Sequence, residues 1–227
     1  MAEPTIATGG GPVALRTSPL AHLGERMRAA AVTGARGVTL TEWPFITMVN
    51  LRVDPAAEAA DRIEKTLGTR LPRRCGQTTA SGSHTIVWLG PDEWLVLSHP
   101  AVTAVTAVTA VTAVTAVAAV AALAAALREA LGGDPGSVVD VSANRTTLEL
   151  SGPAARQVLE KGCPLDLHPR AFGPGQAVST TVGPVAVLLW QVDDVPTYRL
   201  LPRSSFADYL ARWLIDAMSE YRGVEVP

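Results

Sequence analysis

The chain has 227 residues, of which 48% are hydrophobic and 18% charged, and its formal net charge is −2. That length can bury a core as one large domain or two small halves, and the composition excludes intrinsic disorder. The charge leaves no basic field to hold nucleic acid. Cys75 and Cys163 stand far apart, with no CxxC spacing and no histidine cluster, so neither a zinc site nor a disulfide framework is expected.

Residues 1–15 are rich in Gly, Pro, Thr and Ala and read as a flexible tail. They lack a charged stretch followed by an apolar one, so a cytoplasmic location is expected. Residues 16–99 form a first α+β half. Within it, residues 46–53 carry apolar groups at both parities, the pattern of a central strand. Asp54 and Pro55 predict a helix start, and Ala59, Ile63 and Leu67 recur every four residues up to a stop at Gly68. Residues 85–89 and 94–98 read as strands joined by a Gly90-Pro91-Asp92-Glu93 hairpin turn.

Residues 100–135 connect the halves. Ala-Val-Thr repeats five times from Ala101 to Thr115, a period of three that matches neither helix nor strand. Farther on, Leu123, Leu127 and Leu131 share one helical face. This predicts a helix over residues 100–131, closed by Gly132-Gly133, with a packed leucine end and a projecting repeat end. The run is long enough to cross a bilayer, yet it is built of Ala, Thr and Val without an aromatic belt or basic flanks. No membrane role is expected.

Residues 136–227 form a second, similar half. Strands are predicted at 138–141, 146–150, 177–182, 185–192 and 197–201. A helix is predicted at 152–160 with Ser151 as its cap. A last helix is predicted from Ser205, with Asp208 completing a capping box. Phe206, Leu210, Trp213, Leu214, Ala217 and Tyr221 mark its buried stripe. The expected fold class is α+β, two similar halves of antiparallel sheet with covering helices.

Residues 161–172, Lys-Gly-Cys-Pro-Leu-Asp-Leu-His-Pro-Arg-Ala-Phe, have neither helical nor strand period. Pro164 and Pro169 each hold one φ angle, so the segment is a loop of fixed path, either a rigid connector or a functional loop. His168 lacks a visible orienting partner for general-base work, and Cys163 reads as a small buried hydrophobe. Asp92 and Glu93 read as a solvated turn, and Trp88 and Trp94 as cross-strand core or interface anchors. Asp140, Ser142 and Arg145 form a polar cluster in which an Arg–carboxylate pair is expected. No GxGxxG, phosphate loop or metal-ligand spacing occurs, so no dinucleotide or metal is expected on this chain.

Several segments in order carry a resemblance: Ser18-Pro19-Leu20, Trp43-Pro44-Phe45, Asn50-Leu51-Arg52, residues 88–95, Asp140-Val141-Ser142, Arg145-Thr146, residues 148–153, the 162–172 loop and residues 203–214. Together they resemble the gamma-subunit family of heterotetrameric sarcosine oxidase, over about residues 18–220 apart from the insert near Pro100. The resemblance implies a fold like the folate-binding domains of the aminomethyltransferase (glycine-cleavage T-protein) superfamily. It implies a structural, non-catalytic subunit of a complex that converts sarcosine, O2 and tetrahydrofolate to glycine, H2O2 and 5,10-methylenetetrahydrofolate. It also implies alpha, beta and delta partner subunits, which would carry the FAD, FMN, NAD, zinc and tetrahydrofolate, with no cofactor on this chain. The superfamily's folate-positioning loop aspartate corresponds to Asp166, although its Thr-Asn-Asp is Pro164-Leu165-Asp166 here. Asp166 and Arg145 are therefore the folate-pocket candidates. Cys163, Pro164, Leu165, Asp166, His168, Arg170, Phe172, Trp88 and Trp94 are the interface candidates. The alternative is a free-standing folate-binding or aminomethyltransferase-like protein.

Overall fold

The computed structural model describes residues 17–98 and 110–223. A short 3-10 turn runs into helix α1 (Gly24–Ala29), a segment the sequence pattern had not singled out. Leu20, Leu23, Met27 and Ala30 are its buried face, at helical spacing. Strand β1 (Thr39–Trp43) follows, also unanticipated. Its mixed sequence, Thr-Leu-Thr-Glu-Trp, buries fully only Leu40.

Strand β2 (Thr47–Val53) is central and buried on both faces, as its uninterrupted apolar run predicts. Helix α2 (Glu58–Leu67) starts three residues later than Pro55 suggested. The Asp54 carboxylate instead accepts from the Ala56 N–H at 2.9 Å and closes a turn before the helix. Ala59, Ala60, Ile63 and Leu67 are buried, and Gly68 ends the helix at φ 69. That left-handed conformation is open to glycine without strain. Burial of the Ile63 side chain, 0% exposed, contributes about 1.5–3 kcal/mol. Strands β3 (Gly76–Ser81), β4 (His84–Gly90) and β5 (Glu93–Ser98) complete the first half. β3 is rich in Gln, Thr and Ser, and so had no apolar signal.

Helix α3 is described from Ala110 to Leu131. Leu123, Leu127 and Leu131 are buried against β2 and α2, as their spacing predicts. The part of the predicted helix at residues 100–109, with most of the triplet repeat, lies outside the described residues.

The second half runs β6 (Gly136–Asp140), β7 (Thr147–Ser151), α4 (Ala155–Glu160), β8 (Gln176–Val182), β9 (Val185–Asp193), β10 (Thr197–Pro202) and α5 (Ala207–Met218). Two predicted caps are corrected. Ser151 lies in β7, where its hydroxyl pairs with Thr39 Oγ1 at 2.8 Å, and α4 begins only at Ala155. Residues 204–206 form a 3-10 turn, so Ser205 caps nothing, and Asp208 binds side chains instead of the helix end. Phe206 is corrected as well: it is 52% exposed, whereas Leu210, Leu214, Ala217 and Tyr221 are buried as expected. The 3-10 turn changes the angular step before α5 and so rotates Phe206 off the stripe.

The strands form one curled, antiparallel sheet in the order β1-β7-β10-β9-β8-β3-β4-β5-β2-β6. Each half lends its first strand to the other: β1 precedes β2 in sequence but pairs with β7, and β6 precedes β7 but pairs with β2. The equivalent strands β3 and β8 join the halves in the middle. One core lies between the second half and α1, α4 and α5, and another between the first half and α2 and α3. The third lies between the two sheet layers, where Met48, Val87, Leu95 and Leu97 meet Ala177, Leu188, Trp190 and Leu201. Helices therefore cover only the outer face of each layer, as expected for facing α+β halves.

Candidate functional site

The 161–172 loop leaves α4 and turns back under α5. Its path is set by burial: Cys163, Leu167 and Phe172 enter the chain's own core, and Leu165 packs partly against it. Lys161 is held by the Ala217 carbonyl and by Glu220 at 3.0 Å, which ties the loop to the end of α5. The exposed residues satisfy one another. Asp166 Oδ1 accepts from the His168 N–H at 2.9 Å, and His168 Nδ1 accepts from the Arg170 N–H at 3.2 Å. These are side-chain-to-backbone turns two residues long, the geometry of a rigid connector. Cys163 and Phe172 are thus spent inside this chain. Pro164, Asp166, His168 and Arg170 are exposed.

Trp88 and Trp94 stand directly opposite each other in the β4–β5 hairpin. Trp94 is 0% exposed and donates its indole N–H to the Pro72 carbonyl at 2.8 Å, so it is a core residue and not an interface anchor. Trp88 is half-buried against the same core. Asp92 pairs with Arg52 at 3.1 Å, and Glu93 accepts from Asn50 at 2.7 Å; the adjacent carboxylates diverge.

The expected Arg145–Asp140 pair does not form. Asp140 accepts from the Ser142 N–H at 2.9 Å, and Arg145 donates to the Leu201 carbonyl at 2.7 Å. Ser142 Oγ in turn accepts from Met48 N at 2.9 Å, stitching the β6–β7 connection to β2. Burial and the neighbouring Arg203 cation pull Arg145 below its ordinary pKa.

The most enclosed polar constellation was not singled out from sequence. Arg199 on β10 donates to Glu149 on β7 at 3.0 Å, with the two side chains 10% and 18% exposed. Its guanidinium lies 4.2 Å from the Trp43 ring centroid and 5.0 Å from that of Trp190. Nearby, Glu42 accepts from Ser18 at 2.6 Å and from Thr146 at 2.7 Å. A charge inside each of two apolar strands, Leu148-Glu149-Leu150 and Tyr198-Arg199-Leu200, was the available signal. Only strand register shows that Glu149 and Arg199 face each other.

The family resemblance implied a folate pocket, and the enclosed space between the sheet layers does not fit one. Trp43, Ile46, Leu97, Thr147, Trp190, Arg199 and Leu201 leave a cavity of about 10 Å³ between the sheet layers. That is the room of one water, whereas ligand sites of drug size need about 300–1,000 Å³. Thr147 Oγ1 and Trp190 Nε1 line it without a protein partner, the polarity a single water would match. A groove of about 590 Å³ runs outside along β1, but its carboxylates Glu42 and Glu149 are already bound as above. No interaction joins Asp166 to Arg145 among the described residues. Among them, too, no group of three His, Cys, Asp or Glu residues could hold a metal ion, and no helix is long and apolar enough to cross a membrane.

A model of the sarcosine oxidase, gamma subunit family matches residues 50–220. The sarcosine oxidase subunit gamma of Corynebacterium sp. strain U-96 is 42% identical over 215 residues, 93% of this chain and 94% of that protein. The chain belongs to the sarcosine oxidase gamma-subunit family. A second gamma subunit, from an Arthrobacter species, is 42% identical over 91% of this chain and 92% of its own length. Among solved structures, a chain of the heterotetrameric sarcosine oxidase from Corynebacterium sp. U-96, in complex with pyrrole 2-carboxylate, superposes with TM-score 0.81 at 41% identity. It covers 94% of this gamma-subunit family member and 100% of that chain. The glycine cleavage system aminomethyltransferase T from Bartonella henselae superposes with TM-score 0.60 at 15% identity, over 92% of this chain and 62% of that one. That likeness is one of fold, and it bears out the architecture expected of the family.

Proposed function

We propose that this chain is a non-catalytic, bracing subunit of a heterotetrameric sarcosine oxidase. The observation that carries the reading is the full-length match to a chain of such an oxidase. The internal chemistry supports the non-catalytic part. Three of the candidate groups are engaged within the chain: Asp166 Oδ1 by a turn, Arg145 by the Leu201 carbonyl, and Glu149 by Arg199. A general acid or base needs a free lone pair or proton within reach of substrate, and an enclosed space to hold that substrate.

In this reading alpha, beta and delta subunits carry the reaction of sarcosine, O2 and tetrahydrofolate to glycine, H2O2 and 5,10-methylenetetrahydrofolate. FAD, FMN, NAD, zinc and tetrahydrofolate are bound there, and the complex works in the cytoplasm. This chain contributes a rigid α+β body, and Pro164, Asp166, His168 and Arg170 contribute exposed loop surface.

The test is co-expression of all four subunits with Asp166→Ala or His168→Ala in this chain. Oxygen uptake with sarcosine is measured per fully assembled complex, with and without tetrahydrofolate. Unchanged turnover is expected, because removal of a true acid or base costs about 10²–10⁴-fold. A hundredfold loss at full assembly would overturn the bracing role. A loss confined to methylenetetrahydrofolate yield would reinstate a folate site at Asp166.

A further inference from the structure

We propose that Arg145, Arg203, Phe206 and Tyr209 form a docking surface for an acidic, apolar-flanked face of another subunit of the oxidase; this rests on the subunit assignment above.

Arg145 and Arg203 are opposed across an isolated antiparallel bridge. Like charges directly opposite on paired strands repel. Arg52, Arg62, Arg73, Arg156, Arg199 and Arg212 each have a carboxylate partner. Among the described residues Arg145 and Arg203 have none, as is also true of Arg26, Arg28, Arg36, Arg70, Arg74, Arg128, Arg170 and Arg222; what sets this pair apart is that the two cations stand opposite each other across a bridge. Arg145 is half-buried and makes its hydrogen bond to a neutral carbonyl, so the pair concentrates positive charge on a chain whose net charge is −2.

The aromatics are out of place in the same way. The chain has three Phe and three Tyr. Phe172, Tyr198 and Tyr221 are buried and Phe45 is half-buried, whereas Phe206 and Tyr209 are 52% and 50% exposed. Phe206 follows Arg203 by one 3-10 turn, with its N–H donating to the Arg203 carbonyl at 2.9 Å. Tyr209 follows Phe206 by three residues, one turn into α5. The platform is held rigid: Ser204 N–H donates to the Asn144 carbonyl at 2.8 Å, and Ser204 Oγ to the Ala143 carbonyl at 2.9 Å. Exposed aromatics beside arginine are the composition enriched at protein interfaces, and a preorganised surface loses little entropy on binding. Two cations without carboxylates select an acidic partner over a basic one, because charge complementarity sets specificity and encounter rate.

The experiment co-expresses the four subunits with an affinity tag on a partner and measures how much of this chain is retained. Arg203→Glu and Phe206→Ser should each weaken retention about tenfold or more, the scale of an interface hot spot. Arg203→Lys and Val195→Ser, the latter at a 67% exposed position on the β9–β10 turn, should be retained like the wild type. Wild-type retention should fall as salt is raised. Circular-dichroism melts of the purified variants must match the wild type, so that lost retention reports docking and not folding. Wild-type retention of both Arg203→Glu and Phe206→Ser overturns the surface alone. A wild-type chain that is not retained overturns the subunit assignment and the surface with it. If light scattering shows the isolated chain to be a dimer that Phe206→Ser breaks, the surface belongs to a second copy and the proposal falls.

Discussion

Arg199 stacks on Trp43, its guanidinium carbon 4.2 Å from the indole centroid, and this contact ties the exchanged strand β1 to β10 across β7. Trp190 closes the other side at 5.0 Å, and Glu149 neutralises the charge. Removal of the cation leaves Glu149 mostly buried and unpaired. Arg199→Met should therefore cost about 3 kcal/mol, and adding Glu149→Leu should recover most of it. Urea unfolding of the two variants measures this. A single substitution that costs nothing would mean the stack carries no stability.

Gly152 is the second fixed point of the exchange. Its φ is 118, and a Cβ there would lie 2.5 Å from the Gly37 carbonyl oxygen, the same oxygen that accepts from Ala154 N at 3.1 Å. Both the backbone conformation and the close approach exclude a side chain. Gly152→Ala should lower stability by about 2 kcal/mol or more, read as a drop in urea midpoint at unchanged slope. Gly133→Ala, where a Cβ would meet nothing within 4 Å, is the control.

Deletion of residues 101–115 removes five triplets, close to four helical turns. Val120, Leu123, Leu127 and Leu131 of α3 are buried, and all lie beyond the deleted residues. The deletion should leave the melting temperature within a few degrees and assembly intact, because a change in connection length costs little. A large fall in melting temperature would show that the repeat packs.

Asp208 sits between Arg212 at 2.8 Å and His22 at 2.6 Å. Hydrogen bonds from Arg212 and then His22 hold its carboxyl down at about 2, from an ordinary value of 3.8. Above the ordinary value the group is ionised in both folded and unfolded chains, and its stabilisation is fully present. Between the two values only the unfolded chain takes up the proton, so stability falls as pH falls, and below about 2 the contribution is gone. The stability gap between wild type and Asp208→Asn should close as pH drops from the ordinary value of 3.8 toward about 2. The carboxylate is exposed, so the gap is small. A gap that widened on acidification would contradict the assignment.

Apolar periodicity in the sequence by itself determined the elements that bury an apolar face or run. These are β2, the Ala59–Ile63–Leu67 face of α2, the leucine end of α3, the β8–β9–β10 meander and most of the α5 stripe. Hydrophobic burial has the periods of the backbone, so those elements are readable locally. The ordered motifs also pointed to the family. Tertiary structure decided the rest. β1 and β3 carry too few apolar residues to announce themselves, and they exist because neighbouring strands offer hydrogen bonds. The exchange of β1 and β6 between the halves depends on strand pairing, which no local pattern encodes. The Glu149–Arg199 pair needs the register of β7 against β10. The loop at residues 161–172 was correctly read as a fixed path. Burial of Cys163 was legible, yet only the core beneath the loop settled that Leu167 and Phe172 turn inward beside it and that Asp166 and His168 are left to bond the loop's own backbone.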